Sequence, residues 1–230
     1  MTQLILPRQR GEDQSKFFYD PNLVLYLPLY ELDGASFMSR DHYGHLCTVT
    51  GALWTPRGRL FDGVNDLIDW GNNTTLNFST GDFSISIWEK RAGVWADFKQ
   101  ILSKFAGAEG YTINTSGNNL YFRAKGLADA GITDFTTYMS AVAVEVWTQV
   151  CWVVKRVGTT LTLSTYQDGI FIGAQAETID GSLANATDFR LLTNPDTATV
   201  VMIGEVMANN RALFPAEILH NYQATKWRFR

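Results

Sequence analysis

Apolar and polar residues alternate in short runs along almost the whole chain. In Phe83-Ser84-Ile85-Ser86-Ile87 the alternation sets Phe83, Ile85 and Ile87 on one face of an extended strand. Residues 160–166 alternate Leu161 and Leu163 with threonines, and in residues 147–155 Val150, Trp152 and Val154 share a face. Further runs of this kind lie at 23–29, 46–50, 100–104, 111–114, 119–124, 170–172, 189–192 and 200–206. Gly, Asn and Asp cluster between them. Asp62-Gly63-Val64-Asn65-Asp66 reads as a hairpin turn between residues 59–61 and 67–70, and Gln167-Asp168-Gly169 as another. About a dozen short strands with turn signals between them specify an all-β, antiparallel sandwich or barrel. A helical pattern is convincing in one place, residues 214–222. Pro215 stands near the first helical position and Glu217 in the first turn, and Phe214, Ile218 and Tyr222 recur every four residues to face the sandwich. The tail alternates Lys226, Arg228 and Arg230 with Trp227 and Phe229. It suits a packed terminal strand with solvated charges, and also a stacking platform for bases or sugars.

A chain of 230 residues fits one such domain. Residues 1–20, charged and turn-rich, read as an arm or linker, and 21–230 as the domain. The net charge of −4 argues against binding nucleic acid through bulk positive charge. No run reaches the roughly 18 apolar residues of a membrane helix. The N-terminus has no basic region followed by an apolar core, so no signal peptide is expected. Cys47 and Cys151 sit in strand-like apolar runs and read as buried thiols. Whether they pair stays open, because a disulfide needs Cα atoms within about 7 Å. Neither CxxC nor zinc-type Cys/His spacing is present.

Several segments together resemble the concanavalin A-like, laminin-G-like jelly-roll domains. The opening strand is Leu23-Val24-Leu25-Tyr26-Leu27-Pro28-Leu29, followed by Thr48-Val49-Thr50-Gly51-Ala52-Leu53-Trp54. The turn Phe61-Asp62-Gly63-Val64-Asn65-Asp66 and the strand Gly81-Asp82-Phe83-Ser84-Ile85-Ser86-Ile87-Trp88 come next. Glu205-Val206, Asn210-Arg211-Ala212-Leu213 and Glu217-Ile218 close the pattern, which runs from about residue 22 to 224 in the family's order. The resemblance implies an antiparallel two-sheet jelly-roll sandwich with one short C-terminal helix. It does not imply one function, because this fold hosts lectins, glycanases, adhesion modules and virion proteins. Tyr43 through Ala52, and the ending His220-Asn221-Tyr222-Gln223-Ala224-Thr225-Lys226-Trp227, also look like members found in tailed-phage and prophage structural proteins. A virion component leaves its host by lysis, which agrees with the expected lack of an export signal.

Glycanases of this fold are implied to carry carboxylates two residues apart on one strand, which points them into one cleft. No such run occurs, so the chain is expected not to be an enzyme. Asp62, Asn65 and Asp66 offer the oxygen ligands that calcium takes. The same residues suit turn geometry, and Gly204 stands where family members commonly carry Asp. For sugar binding the candidates are Trp88, Trp95, Tyr111, Tyr121 and Tyr138, with Trp95 and Tyr138 in apparent loops at 91–98 and 127–140. Two functions follow. One is a non-catalytic virion surface protein, attached to capsid or tail proteins through the arm. The other is a carbohydrate-binding adhesion module for cell-surface glycans, with calcium dependence and homo-oligomers both open.

Overall fold

The computed structural model describes residues 20–105, 107, 109–192 and 200–229. The expected arm, apart from Asp20, lies outside the described residues. Two antiparallel sheets of eight strands each face one another. The first runs β14 (Ile170–Thr178), β13 (Thr160–Gln167), β12 (Thr148–Val157), β7 (Phe83–Arg91), β16 (Val201–Asn209), β5 (Gly58–Phe61), β4 (Leu53–Thr55). β1 (Leu23–Pro28) also pairs with β16. The second runs β11 (Thr133–Ala141), β10 (Asn119–Lys125), β9 (Gly110–Ser116), β8 (Gln100–Phe105), β15 (Arg190–Leu191), β6 (Leu67–Asp69), β3 (Leu46–Thr50), β2 (Ser36–Met38). This is the two-sheet sandwich with one C-terminal helix, α1 (Pro215–Thr225).

The core forms as the alternation requires. Phe83, Ile85 and Ile87 of β7 and Val150, Trp152 and Val154 of β12 meet Tyr111, Ile113, Leu120 and Phe122 of the second sheet. Phe83 packs on Phe78 with ring centroids 4.4 Å apart and on Tyr111 at 5.1 Å. The outward residues of β12 are buried as well, because α1 lies over them: Cys151, Val153, Tyr166, Leu213 and Ile218 form a second apolar cluster. The middle of the first sheet is thus covered on both faces. Cys47 and Cys151 are buried free thiols.

The structure revises four local expectations. Asp62–Asp66 is no hairpin turn, because β5 before it and β6 after it belong to different sheets. Local signals mark a turn but not the sheet to which the chain returns. The 127–140 loop contains β11, whose burial alternates poorly because it is an edge strand with mostly solvent-facing side chains. Phe214 is the N-cap of α1 and is 65% exposed, so Ile218 carries the apolar contact. The tail is a 3-10 turn, Lys226–Arg228, instead of a strand.

Candidate functional site

Alternation along β7 turns Phe83, Ile85 and Ile87 inward and therefore Trp88 and Lys90 outward. Outside the sheet, Trp88 meets α1 and the C-terminal turn. Its Nε1–H donates to Thr225 Oγ1 at 2.9 Å, and Thr225 Oγ1 in turn donates to the Asn221 carbonyl at 2.8 Å. The Tyr222 ring stacks on Trp88 at 5.7 Å and 17°, and Phe229 at 4.6 Å and 28°. Trp147, just before β12, tilts against Phe229 at 4.8 Å. These four rings line a pocket of about 440 Å³ whose charged residues are Arg57, Lys90, Glu145 and Asp168. Lys90 Nζ pairs with Glu145 Oε2 at 2.7 Å. Asp168 Oδ1 accepts the Gln149 N–H at 3.0 Å. Trp88 and Phe229 are buried and form the floor, while Trp147 and Tyr222 are half-buried. Trp147 Nε1–H has no hydrogen-bond partner among the described residues. A buried donor of this kind costs free energy until something accepts from it.

A second groove, of about 670 Å³, lies on the outer side of β3, β6 and β15. Thr48, Thr50, Asp69, Asn72, Asn73 and Arg190 line it. Arg190 is neutralised by Asp69 at 2.7 Å and Asp188 at 2.8 Å. Buried Lys104 donates to Asn72 Oδ1 at 2.7 Å and to the Thr187 carbonyl at 2.6 Å, and burial pulls its pKa down to about 8. The one aromatic residue of this groove, Trp70, is buried in the core.

Of the expected ligand-binding residues, Trp88 alone belongs to the aromatic pocket. Trp95 is not an exposed loop ring. It is 2% exposed within the main core, beneath the Arg91 guanidinium at 5.6 Å. Tyr138 is 40% exposed, and its ring lies over Gly173 of β14, where any side chain would collide with it. It clasps the edges of the two sheets together, beside the bond from Thr137 N–H to Gln175 Oε1. Sequence reasoning missed Trp147 and Tyr222 as pocket residues and offered Phe229 only within the tail read as a stacking platform. The aromatic and basic alternation of the tail was the available signal.

The Asp62, Asn65 and Asp66 turn does not assemble a calcium cage. Asp62 Oδ1 accepts the Val64 N–H at 2.8 Å, and Asp66 Oδ2 accepts the Asp62 N–H at 2.9 Å. The carboxylates serve the turn's own backbone, short of the six to eight oxygens calcium requires. Burial raises the Asp66 pKa, the Asp62 N–H that it accepts lowers it, and the Asp62 charge raises it by less. Among the described residues no group of three or more His, Cys, Asp or Glu is placed to hold a metal.

Two carboxylates, Glu89 and Glu205, are fully buried, and burial pushes the pKa of each up to about 7. They do not form an acid–base pair. Glu89 shares the inward parity of Ile87 on β7, whereas Glu205 lies outward, opposite Trp88, after a bulge in β16. Gly204 sits at that bulge. A Cβ there would overlap the Phe229 ring, so glycine stands at this position for steric reasons.

No helix among the described residues is long and apolar enough to cross a membrane. Residues 62–219 match the laminin-G-type family of the concanavalin A-like lectin/glucanases superfamily. No curated protein matches the chain. Among solved structures, the chain is similar to the binding domain of Paraclostridial Mosquitocidal Protein 1, with a TM-score of 0.70 and 16% identity over 87% of this chain and 52% of that one. It is similar to the botulinum neurotoxin serotype G binding domain, with a TM-score of 0.67 and 16% identity over 88% and 51%. It is also similar to the botulinum neurotoxin serotype D ligand binding domain in complex with N-acetylneuraminic acid, with a TM-score of 0.67 and 14% identity over 89% and 51%. The chain thus spans about half the length of these structures, and at this identity the likeness is one of fold. The family match covers most of the strands that build both sheets, and on it the chain belongs to the concanavalin A-like lectin/glucanases superfamily.

Proposed function

We propose that this chain is a non-catalytic binding module that takes carbohydrate in the pocket of Trp147, Tyr222, Trp88 and Phe229. The observation that carries the reading is the composition of that pocket: half-buried rings beside Arg57, Lys90, Glu145 and Asp168. Sugar C–H faces pack on aromatic rings while hydroxyls pair with charged and amide groups. The opposite orientations of Glu89 and Glu205 support a binding role over hydrolysis, since a retaining glycosidase needs its two carboxyls about 5–5.5 Å apart across one cleft. The binding domains of the similar toxins support the same reading. The test is a glycan array with the purified chain, in calcium and in chelator, repeated with Trp147→Ala. Hits that weaken about tenfold in the variant, the scale of a central aromatic contact, support the pocket. Hits unchanged by Trp147→Ala move the site elsewhere, and silence across the array removes the carbohydrate reading.

The second reading is a virion surface protein held on capsid or tail proteins by residues 1–20. The likeness of Tyr43–Ala52 and of the ending at His220–Trp227 to tailed-phage structural proteins favours it. Co-sedimentation with purified virions, with and without residues 1–19, tests it. Both readings hold together if the glycan lies on the host surface.

A further inference from the structure

We infer that the chain pairs with a second copy of itself through the free edge of β14, in an antiparallel two-fold dimer that turns both aromatic pockets to one side. The pairing stands on the strand alone, whereas its bivalent use rests on the pocket being the ligand site. A strand at the edge of a sheet presents a row of N–H and C=O groups that another strand can take up, and proteins guard such rows with short strands, charge, proline or cover. The other edges of this sandwich are guarded. β2 and β4 are three residues long. β1 is buried along its six residues and ends in Pro28. β11 carries Asp134, and its Thr137 N–H is taken by Gln175 Oε1 at 3.0 Å. β14 has none of these guards. It is nine residues long, holds no Lys, Arg or Pro, and carries one charge, Glu177. Among the described residues β13 is the only strand that pairs with it. Gly173 is buried, while Ile170, Phe171 and Ile172 are exposed apolar side chains.

The clasp between β11 and β14 uses the inner face of β14. Gly173 lies opposite Thr165 and Gln175 opposite Leu163, on the side of the core residues Leu161 and Leu163. Ala174 and Ala176 lie opposite Ser164 and Thr162, point outward and are exposed, and such small side chains let a second backbone come alongside. An antiparallel partner must offer a bare edge of like length, and β14 of a second copy is one. A two-fold axis at Ala174 uses all nine residues and sets that residue opposite Ala174 of the partner subunit. Such a contact is isologous and closes at two copies. The axis that relates two antiparallel edge strands stands perpendicular to the sheet, so the outer faces of both first sheets look the same way. Asp168, two residues before β14, lines the aromatic pocket on that outer face. The two pockets therefore lie toward opposite ends of the joined strands, roughly 30 Å apart along the strand direction, and address one surface.

The experiment measures the mass of the full chain by sedimentation across a range of concentrations. A species of twice 25.8 kDa is expected, and a monomer at about 100 μM overturns the pairing. Ala174→Lys and Ala174→Glu each set like charges opposite one another across the axis and are expected to be monomers, while an equal mixture of the two is expected to recover the dimer. Ala174 is exposed, so both variants are expected to fold, which a thermal melt checks. Variants that stay dimeric, or a mixture that stays monomeric, overturn the β14 contact. Amide exchange in residues 170–178 is expected to slow as the parent is concentrated and to stay fast in Ala174→Lys. Bivalency is read separately with a glycan identified on the array. Parent and Ala174→Lys are expected to bind the free sugar alike, while the parent holds a surface coated with it about a hundredfold more tightly. Equal binding to the surface overturns the bivalent display even if the dimer forms. A dimer that forms when no glycan binds sustains the pairing and overturns the carbohydrate reading instead.

Discussion

Replacing Glu89 by Gln isolates the cost of a charge buried in the core. Glu89 lies on the inward face of β7 next to Ile87, opposite Thr148 on β12 and Ile203 on β16. Neither carboxylate oxygen has a hydrogen-bond partner among the described residues. Arg91, two positions on along the same face, donates its guanidinium to the carbonyls of Gly117, Asn118 and Val142. It lowers the Glu89 pKa less than burial raises it, and the balance stands at about 7 against an ordinary 4.5. Each pKa unit is worth ~1.4 kcal/mol, so the ionised form is disfavoured by about 3 kcal/mol in the folded chain. Between pH 4.5 and 7 the folded chain therefore holds a proton that the unfolded chain has lost. The parent becomes less stable as pH rises through that window, and Glu89→Gln does not share this loss. Urea unfolding of both proteins at a series of pH values reads the difference. The variant is expected to gain about 3 kcal/mol relative to the parent from the acid side of the window to the alkaline side. A constant offset reflects the packing of the amide and carries no information on charge. Glu205 adds a slope of the same sign, so the comparison is repeated in a Glu205→Gln background. A difference that is flat with pH, or that turns against the variant as pH rises, refutes the reasoning, because the anion would then have a partner that stabilises it.

Other predictions test packing and turn chemistry. Gly204→Ala drives a Cβ into the Phe229 ring and is expected to cost about 1–3 kcal/mol in urea unfolding, with a changed near-ultraviolet signal from Trp88. Phe122→Ala removes a ring from the aromatic row of the core, where Phe122 meets Phe83, Tyr111 and Phe135, and is expected to cost about 3–5 kcal/mol by the same measurement. Burial pushes the Cys47 and Cys151 thiols up to about 12, so a thiol reagent at mildly alkaline pH is expected to leave both unlabelled until denaturant is added. Rapid labelling of either in the native protein contradicts the packing. Calcium is expected to leave the melting temperature unchanged, since Asp62 and Asp66 already accept bonds from their own turn. A calcium-dependent rise shows that the turn rearranges into a site.

Legibility from sequence followed the range of the interactions. Inward residues such as Phe83, Ile85, Val150 and Trp152 could be read directly, because the side of a strand is set by its nearest neighbours. Pairing could not. β1 joins β16 across most of the chain, and the two-residue β15 carries too little pattern to stand out. The candidate aromatics show the same limit. Trp88 and Trp95 are seven residues apart and equally apolar, yet one forms the floor of a pocket and the other fills the core. Only the position of α1 and of the turn after it separates them.

By itself the sequence determined that the chain is β but for one helix near residues 214–222, and which residues turn inward, since backbone periodicity and turn chemistry act over a few residues. It also marked Gly204 as a departure from the family pattern. Tertiary structure alone decided the meaning of that glycine, the assembly of Trp88, Trp147, Tyr222 and Phe229 around one pocket, and the burial of Glu89 and Glu205 on opposite faces of the sheet. Those depend on which distant segments come to lie against each strand, and burial by a distant segment leaves no trace in the local alternation.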